Sequence, residues 1–145
     1  LLLSADMQAG ALRTALLLGE GGREVYVPAG QVHGVEMSIC GKSACEEFER
    51  FWFDIAFIGA SGITADGLYD YSPEDSDMKR VYLRRSRRTG RLCNSAKYNH
   101  MSLVRIADLS ELDLVVSDAA PPHDIAAALA EARVGIALAP PLPGV

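Results

Sequence analysis

The sequence is poor in the features that mark several protein classes. It holds only three cysteines, Cys40, Cys45 and Cys93, with no CxxC pair among them. An odd count without pairing argues against a disulfide framework and for a reducing compartment, the cytoplasm. The three histidines, His33, His100 and His123, lie far apart without metal-ligand spacing, so neither a metal nor a cofactor is expected. No apolar run approaches the roughly 20 residues of a membrane span. There is no GxGxxG signature for a dinucleotide and no GxSxG for a nucleophilic serine. Basic residues are outnumbered, 14 against 19 acidic, for a net charge of −5, a poor basis for gripping nucleic acid by overall charge.

What is present is an ordinary globular mix, with 49% hydrophobic and 23% charged residues in a chain of 145, enough for one domain. A chain of this length buries about 68–70% of its unfolded surface and needs no staple to hold a core. Strand-like and helix-like patterns alternate throughout. Leu1 to Leu3 reads as a buried strand entered midway, so an N-terminally truncated domain is expected. Asp6 is placed to cap a helix carrying Ala11, Leu12, Ala15 and Leu16, closed by Gly19, Gly21 and Gly22. Glu24 to Val27 and Val35 to Cys40 read as strands, and Lys42 to Trp52 as a helix with Ala44, Cys45, Phe48 and Trp52 on one side. Asp54 to Ile58 is a nearly continuous apolar strand of the kind buried in parallel sheets.

Gly59 to Ser72 reads as loop. Ser72-Pro73-Glu74-Asp75 is a strong helix start, with a hydroxyl cap, proline in the first turn and acids at the positive end of the helix dipole. That helix carries Met78, Val81 and Tyr82 and is expected to end at Gly90. Arg91 to Cys93, Leu103 to Ile106, Leu114 to Val116 and Val134 to Leu138 read as short strands, with a helix from Asp124 to about Arg133. The pattern implies an α/β domain, a parallel or mixed sheet covered by helices. Residues 140 to 145 read as a tail.

In such sheets ligands sit beyond the carboxyl ends of strands, which directs attention to the loops after Leu3, Val27, Ile58 and Cys93. Gly59-Ala60-Ser61-Gly62 lets a ligand or another backbone come close, or is a plain tight turn. In Asn94-Ser95-Ala96-Lys97, the lysine meets a phosphate as a point charge or is simply solvated. Ser4, Ala5 and Asp6 lie between the first strand and helix, where amides attract anions although Asp6 repels them. Seven of the 14 Lys and Arg fall between Lys79 and Arg91. Arg80, Arg84, Arg87 and Arg88 are spaced for one helix face, either a solvated or subunit-facing surface or a nucleic-acid patch.

Five segments, Val25 to Gly30, Phe53 to Ile63, Asp75 to Arg80, Leu92 to Tyr98 and Leu112 to Asp118, together resemble the C-terminal sensor domain of DeoR-type transcriptional regulators. Phe53 to Ile63 resembles the family's D-x-x-F-x-G-x-x-G stretch. Val25 to Gly30 resembles its V-x-x-x-G-G turn, with Ala29 in place of the first glycine. Asp75 to Arg80 resembles E-A-x-V-K-R, Leu92 to Tyr98 resembles D-x-S-K-F, and Leu112 to Asp118 resembles I-D-x-x-I-T-D. The resemblance covers essentially the whole chain. It implies a fold similar to ribose-5-phosphate isomerase and the coenzyme A transferases, built into a homo-oligomer. It also implies a sensor whose phosphorylated sugar or sugar-like effector shifts the DNA affinity of an N-terminal winged helix-turn-helix.

By this resemblance the effector-binding set is Ser4, Ala5, Asp6, Gly30, Gly59, Ala60, Ser61, Gly62, Asn94 and Lys97. The winged helix-turn-helix and the first sensor strand with its S-G-T-T loop have no counterpart in the sequence, and Asn94 stands where the family has aspartate. No catalytic set is visible, as suits a sensor rather than an enzyme. The alternative is a sugar-phosphate isomerase-like enzyme on the same fold, with Asp66 as the nearest acid for a carboxylate base.

Overall fold

The computed structural model describes residues 3–5, 9–28, 31–33 and 38–140, and at 3–5, 9–13, 31–33 and 38 the backbone alone. In chain order it runs β1 (Leu3–Ala5), α1 (Ala9–Glu20), β2 (Gln31–His33), β3 (Ser38–Cys40), α2 (Lys42–Phe48), β4 (Ile55–Ile58), β5 (Gly62–Thr64) and β6 (Gly67–Asp70). Then follow α3 (Pro73–Arg84), β7 (Thr89–Cys93), β8 (Val104–Ala107), β9 (Leu114–Ser117), α4 (His123–Glu131) and β10 (Gly135–Leu138). The main sheet has five strands in the order β1-β4-β7-β9-β10, every pairing parallel. β5, β6 and β8 form a separate antiparallel sheet, and β2 pairs with β3.

The register explains the apolar run in β4. Ala56 and Ile58 stand beside Thr89 and Arg91 of β7, and Arg91 stands beside Val115 of β9. Ala56, Ile58 and Val115 are fully buried beneath Met78, Val81 and Tyr82 of α3 and Ile125 and Leu129 of α4. Phe48, Phe51, Phe53 and Tyr82 pack ring on ring where α2 meets α3, with centroids 5.6 to 6.2 Å apart. Such pairs add about 0.5–1.5 kcal/mol each beyond the area they bury. Coverage is less complete than the sequence implies: Leu92 of β7 is 51% exposed, and β10 is largely open to solvent.

Helix α3 is built as expected at its start. The Ser72 hydroxyl accepts the Asp75 amide at 3.2 Å, and Pro73 follows it directly. Its end is earlier than expected, at Arg84 rather than Gly90. The backbone of 85–88 instead runs beside 53–56. Phe53 N–H donates to Arg85 O at 2.8 Å, and Arg87 N–H donates to Phe53 O at 2.9 Å. Arginines are good helix formers, so no propensity marks this exit.

Three other expectations are corrected. Glu24 to Val27 forms no strand: Val25, Tyr26 and Val27 are exposed, and Tyr26 rests on the Phe51 ring, 6.0 Å away. The loop expected at the end of that strand therefore does not border a strand end. The stretch from Gly59 to Ser72 is not loop throughout but contains the β5–β6 hairpin. Its strands are three and four residues long, too short for their alternation to register. At its turn Gly67 adopts φ +150, and a Cβ there would run into the Ala107 carbonyl of β8. Helix α2 stops at Phe48, four residues before Trp52. Asp6 and Gly30 lie outside the described residues.

Candidate functional site

The parallel order brings the carboxyl ends of β1, β4, β7 and β9 to one edge of the sheet. Ser4 and Ala5 close β1 beside Ala56 and Phe57. Gly59, Ala60, Ser61 and Gly62 follow β4 directly, and Asn94 to Lys97 follow β7 as a single 3₁₀ turn. The loops after Ile58 and Cys93 are thus neighbours, because their strands are.

The glycine loop is held from two sides. Arg91, 1% exposed, reaches from β7 and donates through Nη2 to the Ala60 carbonyl at 2.9 Å, and through Nη1 to the Leu92 carbonyl. From the other side, Ser61 Oγ donates to Asp70 Oδ1 at 2.7 Å. The same oxygen accepts the Tyr71 amide at 2.8 Å, while Asp70 Oδ2 is ion-paired with Lys79 of α3. Asp70 and Lys79 are 1% and 0% exposed, a pair removed from water and joined to the loop through one hydroxyl. At the end of the loop, Gly62 is the residue where a side chain cannot fit: a Cβ would overlap the His100 carbonyl. That contact arises because the segment after the 3₁₀ turn returns to β5. Asn99 N–H donates to Ile63 O at 2.9 Å, with Asn99 itself at φ +54.

The second loop is shaped by carboxylate and amide acceptors. Asn94 Oδ1 accepts the Ala96 amide at 2.8 Å. Asp118, just past β9, accepts the Ser95 amide at 2.6 Å and the Ser95 hydroxyl at 2.9 Å. These two bonds, the backbone one foremost, hold the Asp118 carboxyl below the ordinary aspartate value. Lys97 is exposed and forms no ion pair among the described residues. Burial pushes the Cys93 thiol and the Tyr98 phenol up, and the Arg91 charge opposes both shifts. The Tyr98 hydroxyl donates to Ala119 O at 3.2 Å, fastening this loop to the one after β9.

Chemically, the edge offers an ammonium group at Lys97 and a buried guanidinium beneath the glycine loop, beside an Asp118 carboxylate already engaged by Ser95. That combination favours an anionic group. It offers poor ground for a carboxylate base. Asp66 sits at the tip of the β5–β6 hairpin, exposed, with its amide on Thr64 Oγ1. The acid adjoining the glycine loop is Asp70, and it is already engaged by Lys79, Ser61 and Tyr71. Among the described residues no cluster of His, Cys, Asp and Glu is arranged to hold a metal.

Four residues that shape this edge, Asp70, Lys79, Arg91 and Asp118, were not among those expected from the sequence. Lys79 and Asp118 lie within segments that carry the family resemblance. Asp70 and Arg91 have no such signal.

Comparison with known proteins agrees with the architecture. Residues 10–119 match the DeoR C terminal sensor domain. The chain is 28% identical over 100 residues to the HTH-type transcriptional repressor GlcR of Bacillus subtilis (strain 168), covering 69% of this chain and 39% of that protein. It is 24% identical over 115 residues to the glycerol-3-phosphate regulon repressor of Escherichia coli (strain K12), covering 79% and 46% respectively. It is 26% identical over 107 residues to the HTH-type transcriptional regulator GlpR of Haloferax volcanii, covering 73% and 42%. The chain thus spans less than half the length of these relatives. With more than half of its residues inside the family match, it belongs to the DeoR C-terminal sensor domains.

Proposed function

We propose that this domain binds a phosphorylated sugar or sugar-like metabolite at the carboxyl edge of its parallel sheet. In this reading Ser4, Ala5, Gly59 to Gly62, Asn94 and Lys97 form the described part of the effector site, joined by Asp6 and Gly30. Occupancy controls the DNA affinity of a winged helix-turn-helix outside this chain, in a homo-oligomeric cytoplasmic regulator. The observation that carries the reading is the convergence of the loops after β4 and β7 on one edge, with Arg91 buried beneath and Lys97 exposed beside them. The names of the relatives support it: one is a repressor of a glycerol-3-phosphate regulon, and others are HTH-type regulators. The isomerase-like alternative has no supporting observation, since Ala60 and Ser61 occupy the loop and Asp66 lies at the hairpin tip.

A thermal-shift panel tests this. Glycerol 3-phosphate and hexose phosphates are compared with their unphosphorylated forms. A true effector at about 100 times its dissociation constant adds roughly 2.7 kcal/mol, or about 10 °C at this chain length. A shift confined to a phosphorylated compound, without turnover, is the expected result. Equal shifts from the unphosphorylated forms, or none from any compound, would overturn the phosphate-sensing reading, and turnover would restore the enzyme.

A further inference from the structure

The opposite edge of the sheet has its own chemistry. Residues 50–54 lead into β4 and residues 84–88 lead into β7, so both segments lie at the amino ends of adjacent strands. They are bound together by the Phe53–Arg85, Arg87–Phe53 and Ala56–Arg88 backbone bonds. Together with Glu49 they carry five arginines, Arg50, Arg84, Arg85, Arg87 and Arg88, against two acids, Glu49 and Asp54. In a chain of net charge −5 this is a strong local segregation of positive charge.

The acids do not neutralise all of it. Glu49 pairs with Arg84, and Arg85 lies 4.0 Å from its other oxygen. Arg85 also donates to the Phe51 carbonyl at 2.9 Å and sits over the Trp52 ring, 5.6 Å from its centroid. Arg50, Arg87 and Arg88 are exposed and form no ion pair among the described residues. These three arginines share the amino edge of the sheet with Trp52, whose indole is 56% exposed. Guanidinium is weakly hydrated and forks onto phosphate oxygens, so such a surface suits a polyphosphate backbone.

Position adds a second argument. Strand β7 is five residues long, which separates the two edges by about 15 Å at roughly 3.3 Å per residue. β1 enters the sheet with Leu3 beside Ile55, at the arginine edge. A DNA-binding segment joined ahead of β1 would therefore leave from the arginine side, away from the effector loops.

We propose that Arg50, Arg87 and Arg88, beside Trp52, contact the phosphate backbone of duplex DNA without reading its sequence. The inference rests on the regulator reading above for the presence of DNA, but its test needs no effector. The assay is fluorescence anisotropy of this chain with a labelled mixed-sequence duplex of about 20 base pairs, beginning near 20 mM salt. Three phosphate contacts predict that log K falls with log salt at a slope of about −2.7. Arg87→Glu/Arg88→Glu should weaken binding by about tenfold or more and bring the slope towards about −0.9. Arg87→Gln/Arg88→Gln, which adds no repulsion, should fall between, with an unchanged melting temperature. Lys42→Glu, at the far end of α2, should bind as the parent does.

Three results would overturn the inference: no binding of the parent at low salt, equal weakening by Lys42→Glu, or competition by polyglutamate as effective as by unlabelled duplex. The last would assign the surface to an acidic protein. Effector binding without DNA binding would remove this surface and leave the sensor reading intact. DNA binding through these arginines without any phosphorylated ligand would do the reverse.

Discussion

Replacing Lys79 by methionine tests how the glycine loop from Gly59 to Gly62 is supported. The change keeps an unbranched side chain only one atom shorter and removes its charge. Asp70 then stays buried, 1% exposed, with Ser61 Oγ and the Tyr71 amide still donating to one oxygen and the lysine gone from the other. Breaking one partner out of a buried ion pair costs about 3–5 kcal/mol, because the remaining charge is stranded away from water. At this chain length each kcal/mol is worth roughly 4 °C, so the melting temperature should drop by about 12–20 °C. Adding Asp70→Asn to Lys79→Met removes the stranded charge while keeping an oxygen for Ser61 and Tyr71. The double variant should therefore recover most of the loss, leaving about 1–2 kcal/mol for an imperfectly satisfied amide. Urea unfolding followed by circular dichroism of the parent, the two single variants and the double variant yields the coupling energy. A loss under about 1 kcal/mol for Lys79→Met, or a double variant no more stable than the single, would refute the account of the pair.

Gly62→Ala should destabilise the domain and disturb the segment at His100, because the new methyl meets a backbone carbonyl; a melting temperature within about 1 °C of the parent would contradict this. Asn94→Asp keeps the oxygen that accepts the Ala96 amide and adds a negative charge, so it should weaken binding of any phosphorylated effector, as isothermal titration would show. Asp118 is held below its ordinary value by Ser95. Its stabilising contribution is thus full above about pH 4 and is lost as the pH falls through the lowered value. Asp118→Asn should remove that acid-sensitive component, so an identical stability profile between pH 5 and pH 2 for the two proteins would refute it, while at neutral pH the loop from Asn94 to Lys97 should exchange its amides faster.

The main sheet was legible because β4 is a nearly continuous apolar run and the helix that follows, α3, carries a complete start signal at Ser72 and Pro73. The loops of the candidate site were legible for the same reason: in a parallel sheet, finding the strands locates the loops at their carboxyl ends. What supports those loops was not. Asp70 and Lys79 are nine positions apart, and each reads as an ordinary surface charge until the hairpin and α3 bury them together. Arg91 was read as the start of a strand, but nothing in the basic run around it marked it as the arginine that is buried and reaches the Ala60 carbonyl. Glu24 to Val27 shows the opposite error. Its alternation is strand-like, but a strand also needs a neighbour, and none of the described residues pairs with it.

The most direct test of the central claim is a backbone-amide NMR titration with the phosphorylated compound that gives the largest thermal shift. The account predicts the strongest perturbations at Gly59 to Gly62 and Asn94 to Lys97, saturating together, with little change in α2. Perturbations centred instead on the groove of about 430 Å³ between α2 and α3, around Lys42, Glu46 and Arg84, with the two loops silent, would contradict it.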